Sequence, residues 1–202
     1  MRQVFLGIAL TVGGLLSTVS LAGPQYVELP NAVASKQQGK IEVVEIFSYG
    51  CGHCFKLEPS LNSWVASLPA DVVFKRVPAM FGGQWDVQGQ LFLTLEVMEV
   101  GPQVNHAVFQ AVHDRLKLKT PEEMADFLQT VGVDRGKFLT TYHSFVVSTR
   151  VADAKNKTKA YEVSGVPAMV VNGKYRFDLG VGGAKKMFEL ADQLIDKERL
   201  SQ

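Results

Sequence analysis

Cys51-Gly52-His53-Cys54 holds the only two cysteines of the chain. Two thiols this close can join into a disulfide and part again with little backbone movement. A bond that closes so short a loop constrains the unfolded chain very little, because that constraint grows with loop length. The pair therefore reads as a working redox couple rather than a structural staple. In such chemistry the thiolate, not the thiol, attacks and leaves. Cys51 is predicted at a helix N-terminus, where the backbone N–H groups of His53 and Cys54 lack intrahelical acceptors and can point at its sulfur. Cys51 is thus the expected exposed nucleophile. Cys54, one turn on and facing inward with Leu57 and Leu61, is the expected shielded resolving thiol. His53 offers a donor or, when protonated, a positive charge beside the Cys51 sulfur. His106, His113 and His143 have no such context and read as ordinary surface or helix residues.

The flanking pattern supplies the elements that must hold this pair. Ile41 to Ser48 is β-branched and mostly apolar, as in a central strand covered on both faces. Glu45 interrupts it, and a buried carboxylate needs a partner or a raised pKa. From Cys54 the period changes: Cys54, Leu57, Leu61, Trp64, Val65 and Leu68 share one helical face. Pro59 inside that run predicts a kink, and Pro69 ends it. A short strand is predicted over Tyr26 to Leu29 and another over Val72 to Val77. From about Gly82 to His143 the pattern is helical. Asp86 is placed as a cap for the first of these helices. Thr120-Pro121-Glu122-Glu123 carries a full start signal, with Thr120 as N-cap and Glu123 closing a capping box. Ser144 to Tyr161 reads as a longer helix. Asn172-Gly173 marks a type I′ hairpin between strands Ala168–Val171 and Lys174–Phe177. A last helix is predicted from Ala184 to about Lys197.

The 202 residues carry a formal net charge of +1, with 47% hydrophobic and 20% charged residues. These are ordinary globular values, and near-neutral charge gives no electrostatic argument for nucleic acid or an anionic membrane. The N-terminus differs: Arg2, an apolar run from Val4 to Leu16, then Ser20-Leu21-Ala22. This is the pattern of a secretory leader with cleavage expected after Ala22, and it predicts a soluble mature protein in a compartment where disulfides persist.

The order strand, CxxC, helix, strand, then Val-Pro, hairpin and helix resembles the thioredoxin fold. The helical block within it resembles the bacterial DsbA family of periplasmic thiol oxidases. The matching segments are Val44-Glu45-Ile46-Phe47-Ser48-Tyr49-Gly50-Cys51-Gly52-His53-Cys54, Phe81-Gly82-Gly83, and Gly165-Val166-Pro167-Ala168-Met169-Val170-Val171-Asn172-Gly173-Lys174-Tyr175. The resemblance implies an α/β thioredoxin fold with an inserted α-helical domain. The leader would occupy 1–22, the thioredoxin-like part 23–81, the insertion 82–143, and a connecting helix with the rest of the thioredoxin-like part 144–202. It implies donation of the Cys51–Cys54 disulfide to unfolded or partly folded exported polypeptides in the periplasm. It also implies reoxidation by a DsbB-like, quinone-linked inner-membrane protein. No cofactor beyond the two sulfurs and no metal is expected, and a monomer is expected.

The resemblance further assigns roles to residues outside the CxxC. Pro167 becomes a cis-proline beside the site, with Val166 offering backbone bonds to an extended substrate. Glu45 lies beneath the site and moves protons to the resolving thiol, with Lys75 on the neighbouring strand as its candidate partner. The other reading of Glu45 is a solvent-facing carboxylate at the strand's edge. Met80 and Phe81 form an apolar wall for substrate, or simply pack in the core; Trp85 is open in the same way. One departure stands out: family members often have Pro where this chain has Gly52, and Gly-His is also the dipeptide of eukaryotic disulfide isomerases. Isomerase or reductase action on the same fold therefore remains an alternative, as does metal binding by the two thiols and His53. A chaperone-like binder without redox turnover is a third.

Overall fold

The computed structural model describes residues 25–33 and 39–201; the leader and its cleavage site lie outside these residues. Five strands form one sheet in the order β1-β5-β4-β2-β3. They are β1 (Val27–Glu28), β2 (Ile41–Phe47), β3 (Val72–Pro78), β4 (Ala168–Val171) and β5 (Tyr175–Asp178). β2 runs parallel to β3 and antiparallel to β4, and all seven of its residues are buried. The mostly apolar character of β2, broken only by Glu42 and Glu45, follows from this central place: both of its faces are covered.

Alternation along β2 sorts its side chains between two cores. Ile41 and Val43 face α1 (Gly52–Ala66) and α7 (Ala184–Arg199), where Leu57, Leu61, Met187, Leu190 and Leu194 complete one core. Val44 and Ile46 face the helical block and a second core with Leu91, Leu95, Met124 and Leu128. That block comprises α2 (Gln84–Val97), α3 (Pro102–His113), α4 (Pro121–Thr130), α5 (Arg135–Tyr142) and α6 (Phe145–Ala160). Four aromatic rings join it to the end of the sheet. Phe47 lies edge-on to Phe92 at 4.8 Å, and Tyr49 lies edge-on to Phe109 at 4.8 Å. The Tyr49 hydroxyl also donates to the Asn105 amide oxygen.

Local chemistry explains several boundaries. Thr120 Oγ1 accepts from Glu123 N at 3.2 Å and Glu123 Oε2 from Thr120 N at 3.3 Å, completing the capping box. At the hairpin Asn172 and Gly173 have φ of 49° and 65°, the left-handed pair of a type I′ turn. Only glycine fits at 173, because a Cβ there would stand 1.9 Å from the Val33 carbonyl oxygen. Pro59 lies inside α1, as the helical run places it. One expectation changes. Asp86 does not cap α2, whose N-cap is Gly83 with φ 56°. Asp86 sits three residues inside the helix and reaches back to accept from Gly82 N at 2.8 Å. No helix among the described residues is long and apolar enough to cross a membrane.

Candidate active site

Cys51 is the N-cap of α1, at the point where β2 hands the chain to the helix. Its backbone is extended (φ −88°, ψ 113°), and its sulfur accepts from Cys54 N at 3.3 Å. Cys51 is part-buried and Cys54 fully buried. The Cys51 thiol is lowered to about 6, first by a hydrogen bond from the Cys54 thiol. Burial opposes this, while the Cys54 and His53 N–H groups and the charge of His53 add to it. Cys54 moves the other way: its hydrogen bond to Cys51, its burial and the Cys51 charge all hold its proton on. The pair is split into one sulfur that ionises readily and one that keeps its proton, as the helix-terminus argument requires.

Opposite Cys51 lies the Val166–Pro167 peptide, which is cis. The Val166 carbonyl oxygen is 3.4 Å from the Cys51 sulfur and accepts from the thiol. His53, Gly165, Val166, Pro167, Asp178 and Leu179 line a cavity of about 210 Å³, which shares His53 and Val166 with the surroundings of Cys51. This is where an extended chain could approach Cys51. Gly52 and His53 are both exposed at the rim.

Beneath the cysteines is a buried charge cluster. Glu45 is 1% exposed, so it does not face solvent. Its partner is Arg76, not Lys75: Arg76 Nε lies 2.9 Å from Glu45 Oε2, and Arg76 also donates to Glu58. The 2.9 Å contact is an ion pair whose N–H is not aimed at the oxygen, so neither atom gains a hydrogen bond from it. Lys75 instead binds Glu42 at 2.5 Å. The reason is parity. In the parallel β2–β3 register Glu45 sits beside Arg76 and Val44 beside Lys75. Arg76 therefore shares the α1 face with Glu45, and Lys75 projects to the other face. Burial raises the Glu45 carboxyl to about 7 against the lowering influence of Arg76; Glu58 and Cys51 push it up further.

Two other expected site residues separate. Met80 is 8% exposed, with its sulfur where a Cβ on Gly89 of α2 would fall, 2.5 Å away. It is core, and the substrate-wall reading does not hold for it. Phe81 and Trp85 form an exposed edge-to-face pair at 5.0 Å, outside the cavity that Val166 and Pro167 line. Three residues near the site were not picked out from the sequence. Arg76 could have been found by strand parity with Glu45. Glu58 could have been found as one helical turn beyond Cys54. His113 could not: its ring stacks on Phe55 at 4.5 Å, a contact between α3 and α1 that no local pattern encodes. No three His, Cys, Asp or Glu side chains converge as a metal-ligand cluster among the described residues.

The chain matches the family model of the DSBA-like thioredoxin domain over residues 42–195. It is 52% identical to the thiol:disulfide interchange protein DsbA of Azotobacter vinelandii, with all of both chains covered. It is 52% identical to the protein of that name from Pseudomonas aeruginosa, with 98% of each covered. The crystal structure of Pseudomonas aeruginosa DsbA superposes with a TM-score of 0.86 at 56% identity, covering 88% of this chain and 93% of that one. The oxidoreductase DsbA from Xylella fastidiosa superposes with 0.82 at 33% identity, covering 89% and 98%.

The charge cluster carries a stability prediction. Glu45 has a folded pKa above its unfolded value of 4.5, so its contribution is fully present below pH 4.5 and is lost as pH rises through about 7. Arg76→Met removes the one influence that lowers Glu45 and leaves two buried carboxylates together. Urea unfolding should show a loss of about 3–5 kcal/mol at pH 8 and a clearly smaller loss at pH 5. Equal losses at the two pH values would contradict this account of the cluster.

Proposed function

We infer that this chain, which belongs to the DSBA-like thioredoxin family, is a thiol:disulfide oxidoreductase working as an oxidase of exported polypeptides. The observation that carries the reading is the sulfur of Cys51 at the α1 N-cap, bonded by Cys54 N and lowered to about 6, above a Cys54 that retains its proton.

The reaction runs from the Cys51–Cys54 disulfide. A substrate thiolate attacks the Cys51 sulfur, the Cys51–Cys54 bond breaks, and Cys54 leaves and takes up a proton. The product is a mixed disulfide between Cys51 and the substrate. A second substrate thiolate attacks the substrate sulfur of that bond, and Cys51 leaves as a thiolate. The substrate has then lost two electrons to form its disulfide, and the protein holds the dithiol. Cys51 is a good leaving group because its anion is stabilised; Cys54 must be reprotonated because its anion is not. Glu45, which titrates at about 7 and raises the Cys54 thiol through its own charge, is placed to supply and accept that proton. Val166 and Pro167 form the wall against which the substrate backbone lies, with His53 at its rim.

The thiolate also sets the direction. With its pKa lowered to about 6, Cys51 is mostly thiolate at neutral pH. That stabilises the reduced protein, so the disulfide form is the stronger oxidant. The chemistry needs no cofactor other than the two sulfurs. The apolar leader supports a periplasmic site of action, and a DsbB-like quinone-linked membrane protein is the reoxidant proposed there. Polypeptides with free thiols are the substrates.

Two experiments test this. Equilibrated with glutathione, the Cys51–Cys54 couple should show a potential less negative than that of protein disulfide isomerase, about −180 mV. A couple at or below that value would favour a reductase or isomerase and sink the oxidase reading. Glu45→Gln should remove the inflection near pH 7 from the rate of exchange with a dithiol peptide while leaving the circular dichroism spectrum intact. A pH profile identical to wild type would take Glu45 out of the proton path.

A further inference from the structure

Phe55 follows Cys54 in α1 and is only partly buried, yet one face of the insertion is built around its ring. From α3, His106, Phe109 and His113 approach it with centroid distances of 6.4, 6.0 and 4.5 Å. The tightest is His113, inclined by 17° to the Phe55 ring, a parallel stack. The same imidazole stands near the CxxC: a side chain at position 52 would project toward it, its Cβ 3.9 Å from His113 Cε1, and glycine leaves that space open. His113 Nε2 is buried with no hydrogen-bond partner among the described residues. The stack on Phe55 is therefore the contact that seats this ring.

The need for such a support follows from the dipeptide. Gly52 is the first residue of α1, and glycine loses more conformational freedom on ordering than any other residue. Gly52 and His53 are exposed and contribute little packing of their own to that turn. Yet the Cys54 N–H must stay aimed at the Cys51 sulfur across it, at 3.3 Å. We propose that His113 is a positioning residue for the redox centre: its ring, stacked on Phe55 directly after Cys54, holds the first turn of α1 so that the Cys54 N–H stays directed at Cys51. In this way the helical insertion reaches into the thiol chemistry from outside the thioredoxin-like part. The role rests on the reading of Cys51 as the nucleophile.

The test is the pH dependence of the rate at which iodoacetamide alkylates Cys51 in the reduced full-length protein, run on wild type, His113→Ala and His113→Phe. His113→Ala should move the Cys51 midpoint upward by about half to one unit, about a threefold to tenfold fall in the ratio of thiolate to thiol. His113→Phe keeps a ring on Phe55 and removes the unpartnered nitrogen; it should restore the wild-type midpoint and melt no lower than wild type. In a Gly52→Pro background, where proline pre-sets the first helical turn, the effect of His113→Ala should be much smaller. A wild-type midpoint in His113→Ala overturns the proposal, as does a His113→Phe protein that behaves like His113→Ala, or a full-sized effect in the Gly52→Pro background. If wild type itself reacted like a free thiol, the nucleophile reading would fall and this role with it. A low wild-type midpoint unmoved by His113→Ala overturns the His113 role alone.

Discussion

One backbone N–H, that of Cys54, points at the sulfur of Cys51 from 3.3 Å, and the chemistry of the chain hangs on it. A helix start leaves its first N–H groups without carbonyl partners, so a sulfur at the N-cap finds donors already oriented. β2 supplies the fixed end from which Cys51 is presented, and α1 supplies the donors. The buried face of α1 takes Cys54 out of solvent, which holds its proton and makes that thiol a donor to its neighbour. The asymmetry between two chemically identical residues thus comes from three positions of helix geometry.

Below the sulfurs the same fold does something costly. It buries Glu45 and Glu58 with one guanidinium between them. A buried ion pair is weak evidence for stability, because desolvation offsets much of the attraction. Here the balance leaves Glu45 near neutrality in its titration, where a carboxyl can both give and take a proton. The cluster makes more sense as proton chemistry adjacent to Cys54 than as a fastening, since the surrounding apolar cores already hold β2 on both faces.

Much of this was legible in the sequence, and for identifiable reasons. The redox pair, the central strand, the capping box at Thr120 and the Asn172-Gly173 turn are local patterns, each fixed by backbone geometry within a few residues. The cis-proline came from resemblance, since trans is the default from local chemistry. The errors are of another kind. Lys75 is the wrong partner because it and Arg76 both lie on the right strand, and only the β2–β3 register decides which one shares a face with Glu45. Met80 stays open in the sequence between substrate wall and core, because nothing local shows that Gly89 leaves a place for its sulfur. His113 was set aside because its partner, Phe55, lies 58 positions away in the chain. Contacts between the insertion and the thioredoxin-like part are tertiary facts, and periodicity is silent about them.

The account stands most directly on the ionisation of Cys51. Thiolate absorbance of the reduced wild-type protein, followed across pH and compared with Cys51→Ser, reads it without any substrate. The structure predicts a midpoint at about 6 that disappears in the variant. A midpoint near the free-cysteine value of about 8.5, or one that survives the loss of Cys51, would contradict it.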